Sequence, residues 1–236
     1  MIDAHVHLDF YDNQTKIIED IIKEDINTVF VTHLPELFAR YVELYKDVPQ
    51  LILAVGFHPV LINEYDFNER LFLESLKVTK FIGEVGLDFS VARSENSREK
   101  QQLVFNKICQ HSNNHILSLH SRQAAKEVFD TITKNNVERA IFHWYTGDKE
   151  LIGDILDAGY YFSINPAMLN TNKGRSILRS IPINKVLIES DGPFTKYKGS
   201  VIEPINMRSI YKTFEEFYNL NNLEDIVFEN MLSILE

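Results

Sequence analysis

Cysteine, positive charge and long apolar runs are all scarce in this sequence, and each absence limits what the protein can be. Among 236 residues there is a single cysteine, Cys109. No intrachain disulfide can form, so a reducing cytoplasm is the expected location. No apolar run approaches the roughly 20 residues that span a bilayer, and polar residues follow Met1 and Ile2 too early for the apolar core of a secretion signal. We therefore expect a cytoplasmic protein with no membrane segment.

Basic residues are fewer than acidic ones. Lys and Arg number 24 against 34 Asp and Glu, which gives a formal net charge of −10, and no basic run exceeds two residues. Proteins that bind long stretches of DNA usually carry a basic face that displaces counterions from the phosphates. The sequence therefore argues against a long DNA-binding groove. It is compatible with an enzyme that holds a few nucleotides at a cationic metal centre.

The main feature that is present is an alternation of short apolar runs with longer amphipathic segments, which is typical of βαβ units. No linker rich in glycine, serine or proline interrupts it, and the length is close to the usual size of about 250 residues for a (β/α)8 barrel. Residues 1–236 are therefore predicted to form one domain. The predicted strands are 2–6, 28–32, 51–56, 80–85, 116–120, 139–143, 160–164 and 185–189.

Helical periodicity and capping residues predict the helices between these strands. Asn13 is predicted to cap the first helix, Ser97 a helix over 98–110, and Thr146-Gly147 a helix over 148–156. Two C-terminal helices are predicted, one around 214–218 and one over 223–235. An open doubly wound sheet would produce a similar alternation. The residues at the predicted strand ends favour a (β/α)8, or TIM, barrel.

The strongest local signal is a pair of histidines in the first predicted strand. In the segment Asp-Ala-His-Val-His at residues 3–7, His5 and His7 fall on one side of an extended strand, because strand side chains alternate with a period of two. Asp3 lies on the same face behind them. A lone histidine in an apolar strand is usually structural, whereas two so placed can chelate one divalent ion. The pair therefore predicts a metal site.

Four further residues of this kind end later strands: Glu84, His120, His143 and Asp191. Glu84 is either an exposed loop residue or a buried carboxylate, and a buried carboxylate needs a compensating charge such as one or two metal ions. His120 and His143, at successive strand ends, suggest a second metal. Asp191 precedes Gly-Pro and is either a turn residue or a metal ligand that accepts a proton from the attacking water.

Other residues near the predicted strand ends are candidates for substrate contacts. His58 follows the third strand in Gly-Phe-His-Pro and is assigned to substrate because the six residues above already fill two metal sites. His33, after the second strand, is a weaker candidate of the same kind. Arg122 could contact a phosphate or pair with a carboxylate. Lys173 and Arg175, after the seventh strand, could contact phosphate or be solvated.

The order of these motifs resembles that of the TatD-type metal-dependent deoxyribonucleases. The matching segments are 3–9, 56–59, 83–88, 119–122, the segment around His143, and 189–193. Within that family, the segments 143–147, 161–169, 173–175 and 190–194 are similar to the QatD-type members, which belong to antiphage defence operons that also encode a QueC-like protein.

The resemblance implies an amidohydrolase-type (β/α)8 barrel with two or three divalent ions, Mg²⁺ or Mn²⁺ in use and Zn²⁺ as an alternative. It implies that one ion is held by His5, His7, Glu84 and Asp191. Glu84 would bridge to a second ion, and the remaining implied roles are metal binding for His120 and His143 and substrate contact for His58.

The resemblance also implies that the substrate is DNA, trimmed from the 3′ end and especially when single-stranded. The Asn-Glu-Pro segment typical of the family has its nearest match in Ile202-Glu203-Pro204, so Glu203 is a candidate ligand for an extra metal. The expected mechanism is attack on a phosphodiester by water activated by two metal ions. Asp191 would position that water and take its proton.

Two other functions are compatible with the same motifs. One is a different amidohydrolase-type enzyme acting on an ester or amide, such as an aminoacyl ester. Many of those relatives bridge their metals with a carboxylated lysine, so Glu84 at this position favours the nuclease. The other is a metal-binding regulatory subunit of a defence complex with protein partners. A barrel that had lost catalysis would normally have lost some ligands, and none is missing here.

Overall fold

Eight parallel strands follow one another in chain order around a nearly closed barrel, as the sequence predicts. The computed structural model describes residues 1–236. Most strand residues are buried, as expected for parallel strands covered on both faces. The strands are β1 (Ile2–Val6), β2 (Asn27–Val31), β3 (Leu51–Val55), β4 (Phe81–Asp88), β5 (Ile116–Arg122), β6 (Arg139–His143), β7 (Tyr161–Ile164) and β8 (Val186–Ile188).

Helices form a layer outside the barrel and bury their apolar sides against it. They are α1 (Gln14–Glu24), α2 (Pro35–Leu44), α3 (Glu69–Ser75), α4 (Glu95–Gln110), α5 (Ala125–Lys134), α6 (Leu151–Asp157), α7 (Asn172–Leu178), α8 (Met207–Tyr218) and α9 (Leu223–Leu235). A short antiparallel hairpin, β9 (Lys196–Tyr197) and β10 (Ser200–Val201), follows β8. None of these helices combines the length and the hydropathy needed to cross a bilayer.

The segment after β8 connects the last strand to the first. β1 and β8 are not neighbours in the hydrogen-bonded strand order. Hydrogen bonds with backbone amide donors span the gap: Ser190 N to Asp3 Oδ1 at 2.8 Å, Asp191 N to His5 O at 2.9 Å, and His7 N to Gly192 O at 3.0 Å. Because each of them joins residues more than 180 positions apart in the chain, this closure is purely tertiary.

Two strands carry a β-bulge at the mouth of the barrel. In β1, Asp3 is paired with Thr28 and Val6 with Phe30, so three steps on β1 match two steps on β2. The pairing of β4 with β5 shifts in the same way between Ile82 and Val85. A bulge changes the direction of the side chains at that point. His5 lies in the first bulge and Glu84 in the second.

Gly56, directly after β3, allows Thr32, the residue after β2, to bond to the backbone within β4. The Thr32 amide donates to the Gly83 carbonyl at 3.0 Å, and the Glu84 amide donates to the Thr32 carbonyl at 3.2 Å. A Cβ on Gly56 would lie 2.1 Å from the Thr32 oxygen and 2.5 Å from the Glu84 nitrogen. Only glycine permits this close approach, which holds the backbone of Glu84 at the mouth.

The predicted strands match the observed ones, with differences at their ends. β4 and β5 continue to Asp88 and Arg122, beyond the predicted ends at residues 85 and 120, because the two strands stay paired to that point. The last strand is shorter than predicted. β4 contains two glycines, Gly83 and Gly86, and both lie within the bulged strand.

The predicted starts of two helices were wrong. α4 begins at Glu95, because Ser94 rather than Ser97 is the N-cap and its Oγ accepts the Ser97 amide at 3.1 Å. The helix predicted over 148–156 begins at Leu151 as α6. The Asp148 carbonyl, which precedes it, accepts the Tyr145 hydroxyl at 2.7 Å in a turn. Asn13 precedes α1 as predicted, and α9 matches the span 223–235.

Asp3→Asn is expected to make stability less dependent on pH. Burial raises the pKa of Asp3 from 3.8 to about 7, in spite of hydrogen bonds from Ser190 and His5 that lower it. Because the folded-state pKa lies above the unfolded one, stability from this group is fully present below about pH 4. It is lost as the pH rises towards 7, by about 1.4 kcal/mol per pH unit. Asparagine does not titrate, so the variant should escape this loss.

Urea unfolding of both proteins at pH 5, 6 and 7.5, with a chelator present, measures the difference. The free energy of unfolding of Asp3→Asn should rise relative to wild type across this range. A constant difference at all three pH values would contradict the shifted pKa.

Candidate metal centre

Six of the eight histidines and two carboxylates meet at the carboxyl-terminal mouth of the barrel. Each lies within a strand or no more than three residues after one, on the side of the barrel where parallel strands place their loops together. All are buried except His120, which is partly buried. This group, called the mouth cluster below, consists of His5, His7, His33, His58, Glu84, His120, His143 and Asp191.

The carboxylate of Glu84 lies at the centre of the mouth cluster, with each oxygen facing a different set of nitrogens. Its Oε2 faces three imidazoles: His7 Nε2 at 3.2 Å, His58 Nε2 at 3.3 Å and His5 Nε2 at 3.5 Å. Its Oε1 faces two: His120 Nδ1 at 2.5 Å and His143 Nε2 at 3.0 Å. The side chain is therefore in a position to be shared between two neighbouring sites.

Asp191 completes the side of the cluster that faces β1. Its Oδ1 lies 3.5 Å from His7 Nε2 and 4.0 Å from His5 Nε2, and the two imidazole nitrogens are 3.2 Å apart. Its second oxygen, Oδ2, is buried with no hydrogen-bond partner. A buried carboxylate oxygen normally has a partner, so this atom is available to a ligand or to substrate.

The charges of the cluster compensate one another through Glu84. Burial alone would raise the pKa of Glu84, but the imidazoles of His58, His143 and His120 hold it well below its usual range. Glu84 is therefore ionised at neutral pH. Burial would likewise lower the pKa of His143, and the same carboxylate raises it well above its usual range. Without a metal ion, protons on the histidines supply the positive charge that this carboxylate needs.

Burial and hydrogen bonds determine where the ring protons of His33, His58 and His5 lie. Burial lowers the pKa of His33 to about 2, so this ring is neutral. The Val60 amide donates to Nδ1 of His58 at 3.2 Å, which leaves the proton of a neutral ring on Nε2, facing Glu84. His58 is thus arranged as a hydrogen-bond donor. The Nδ1 of His5 lies 2.8 Å from Ser118 Oγ, and donation there leaves the Nε2 lone pair facing the cluster.

Several residues that support the cluster were not identified in the sequence. The buried carboxylate of Glu189 lies 3.5 Å from Nδ1 of His143 and accepts hydrogen bonds from Ser163 and Asn165. Asp88 Oδ2 lies 2.9 Å from Nε2 of His120. Carboxylates that contact the outer nitrogen of an imidazole orient it for metal binding. The available signal for Glu189 was its position two residues before Asp191 in one predicted strand end.

The donor set fits divalent cations. Four overlapping groups of three side chains each bring one ligand atom apiece within 4.8 Å of the others, and all eight cluster residues take part. Imidazole nitrogen with carboxylate oxygen suits Zn²⁺ or Mn²⁺, and carboxylates also suit Mg²⁺. The unpartnered buried Oδ2 of Asp191 and Nδ1 of His33 are further donors without a partner in the protein. The mouth cluster therefore offers several possible sets of ligands for a divalent metal ion.

Four other residues singled out in the sequence lie outside the mouth cluster. Arg122 ends β5 and is exposed. Lys173 donates to the Thr146 carbonyl at 2.7 Å and lines a surface cleft of about 800 Å³. Arg175 donates to the Leu169 carbonyl and to Asn172, both in its own loop and helix.

Glu203 also lies apart from the groups that could hold a metal ion. Its Oε1 is 3.5 Å from Asn13 Nδ2, and its amide donates to Asn206 Oδ1 at 2.9 Å where a short 3-10 helix begins. Those contacts connect the loop after β10 to the start of α1.

Fold and cluster together define a barrel with a metal site at its carboxyl-terminal mouth. Residues 2–236 match the family described as TatD related DNase, so the chain belongs to that family and is a TatD-family metal-dependent hydrolase. An uncharacterized metal-dependent hydrolase of Methanocaldococcus jannaschii is 26% identical to it, over 97% of this chain and 94% of that protein.

Solved structures show the same fold at low sequence identity. YJJV, a TatD homolog from Escherichia coli K12, superposes with a TM-score of 0.82 at 18% identity, covering 99% of this chain and 97% of that one. The phosphotriesterase homology protein from Escherichia coli, complexed with phosphate in its active site, gives 0.65 at 12% identity, covering 100% and 98%. The (β/α)8 barrel predicted from the sequence is thereby confirmed.

Divalent metal is expected to stabilise the wild-type protein against heat, and Glu84→Ala to remove most of this effect. Glu84 takes part in three of the four candidate ligand groups, so alanine leaves the histidines without their shared carboxylate. A ligand that binds only the folded state adds about 2.7 kcal/mol at 100 times its Kd. Calorimetry of chelator-treated protein, with and without Mn²⁺ or Zn²⁺, measures the shift in Tm.

Glu99→Ala is the matched control, because Glu99 is an exposed glutamate on α4. It should keep the full metal-dependent increase in Tm. An undiminished increase in Glu84→Ala would show that the stabilising metal binds somewhere other than the mouth cluster.

Proposed function

We propose that this hydrolase cleaves phosphodiester bonds of DNA, acting from the 3′ end of single strands, with two divalent ions at the mouth cluster. Mg²⁺ or Mn²⁺ would be the ions in use, with Zn²⁺ as an alternative, and residues 1–236 would act as one catalytic domain. The observation that carries the proposal is the geometry of the Glu84 carboxylate. Its two oxygens face separate sets of imidazole nitrogens. The family's description as DNase supports the substrate class.

The two sets of ligands follow from that division. His5, His7 and Asp191 would hold one ion together with Oε2 of Glu84, and His120 and His143 would hold the other with Oε1. Ser118 and Glu189 would orient two of these imidazoles from behind. Ions bound there would lower the pKa of water towards neutral and stabilise negative charge on the phosphate.

The chain's own side chains would bind the substrate and move the proton. Asp191 is proposed to orient the attacking water and accept its proton, since its Oδ2 is buried and has no other partner. His58, whose Nε2 faces Glu84 at 3.3 Å, would contact the substrate beside that carboxylate. Arg122, exposed at the end of β5, would pair with a neighbouring phosphate. The side chains of Lys173, Arg175 and Glu203 contact neighbouring residues of the protein. We propose that they act only at the rim of the site, away from the reacting phosphate.

Single-stranded DNA labelled at either end is expected to be degraded by the wild type in the presence of Mg²⁺ or Mn²⁺. A 5′ label should give a ladder of shortened products, because removal begins at the 3′ end. Asp191→Asn and Glu84→Ala should each lower the rate by about 100-fold or more, in line with loss of a proton acceptor or a ligand. Gel electrophoresis of timed samples measures this.

Aminoacyl and other acyl esters in parallel reactions distinguish the alternatives. Hydrolysis of an ester with no cleavage of DNA would identify a different amidohydrolase-type enzyme. Metal binding without any hydrolysis would support a regulatory subunit. Full DNase activity in both variants would trace the cleavage to a contaminant.

We also propose that the activity serves antiphage defence in the cytoplasm, with neighbouring defence proteins as partners. The support is the resemblance of residues 143–147, 161–169 and 190–194 to the QatD-type members of such operons. Expression with the rest of the operon should reduce phage plaque formation, and Glu84→Ala should restore it. Equal plaque counts with wild type and variant would contradict a role for hydrolysis in defence.

A further inference from the structure

Two phenylalanine rings lie exposed beside the mouth cluster and in contact with each other. Phe10 is 51% exposed and Phe194 is 53% exposed, and their ring centroids are 5.1 Å apart. We propose that this pair, called the aromatic platform below, stacks the nucleobase next to the phosphate that is cleaved. The inference rests on the proposed function and adds to it how a single strand is held.

Hydrogen bonds to two proposed metal-binding residues, His7 and Asp191, hold the platform in place. The Phe10 amide donates to the His7 carbonyl at 3.2 Å, and the Phe194 amide donates to the Asp191 carbonyl at 3.0 Å. The centroid of the His7 ring lies 5.0 Å from that of Phe194 and 6.2 Å from that of Phe10. A base resting on the platform is therefore within one nucleotide of the cluster.

Core packing does not account for the exposure of these rings. Burying a phenylalanine side chain is favourable by about 1.5–3 kcal/mol, and here two neighbouring rings each leave half of their surface in solvent. A neutral ring, His33, lies behind Phe10 with centroids 4.7 Å apart, so the inner side of the platform is supported. The outer side is open to a ligand with an aromatic face, which a nucleobase provides.

The charge of the chain gives the platform a particular importance. With a net charge of −10, the protein has little general attraction for a phosphate backbone. Stacking on aromatic rings adds affinity for single strands with little dependence on sequence, since every base has a π face. The base must leave its own stack to reach the platform, which favours single-stranded ends over duplex DNA.

The test combines the two partners of the proposed contact. Cleavage rates are measured for wild type, Phe10→Ala and Phe194→Ala, each on an oligonucleotide with normal bases and on one with an abasic residue beside the cleaved phosphate. Removal of the base or of a ring should each lower kcat/KM by about 5- to 150-fold, the range expected for one stacked base. Removal of both should cost little more than either change alone.

Two further variants separate stacking from other effects. Phe194→Tyr keeps an aromatic face and should retain most of the wild-type kcat/KM. Phe228→Ala removes a ring of similar exposure, 49%, from α9 and should match the wild type on both substrates. Fully additive losses from ring and base would overturn the inference even if DNA is cleaved.

Binding without cleavage keeps this result distinct from the proposed function. An oligonucleotide with 2-aminopurine at its 3′ end should lose fluorescence on binding to the wild type, because the base stacks, and lose less with either Phe→Ala variant. Ring-dependent quenching in a protein that cleaves no DNA would overturn the nuclease and keep the platform. Cleavage of DNA together with fluorescence quenching that depends on neither ring would support the nuclease and overturn the platform.

Discussion

Hydrogen bonding between the first strand and the segment after the last one is the constraint on which the site depends. The bonds from Ser190 to Asp3 and from Asp191 to His5 join the two ends of the barrel. They also place a carboxylate from the end of the fold beside two imidazoles from its beginning. Phe194 follows in the same segment, so closure of the barrel, the candidate metal ligands and the proposed aromatic platform depend on one set of hydrogen bonds.

The mouth cluster is organised around the charge of one buried carboxylate. Glu84 is held at the centre of the mouth by the bulge in β4 and by the close approach over Gly56. Its anionic charge in a buried setting requires cations, which are protonated histidines or metal ions. The same physical requirement explains why imidazoles line both of its oxygens and why removal of this side chain should abolish metal-dependent stabilisation.

The surface around the cluster complements this charge with apolar contacts. An acidic chain that acts on a polyanion needs local cations at the reacting phosphate and another source of affinity elsewhere. Arg122 and the bound ions would supply the first, and the rings of Phe10 and Phe194 would supply the second. In the proposed function, selection for single strands would come from the need to present an unstacked base.

The sequence by itself determined the alternation of strands and helices and the approximate strand positions, because apolar runs and periodicity are local properties, and its motifs favoured a barrel over an open sheet. The prediction of a metal site at His5 and His7 followed from the period-two alternation of strand side chains. Tertiary structure alone decided how the two oxygens of Glu84 divide the imidazoles between them, that Glu189 lies behind His143, and that the His33 ring packs between His7 and His58. The reason is that bulges, barrel closure and the approach over a glycine depend on contacts between strands far apart in the chain, which no local pattern contains.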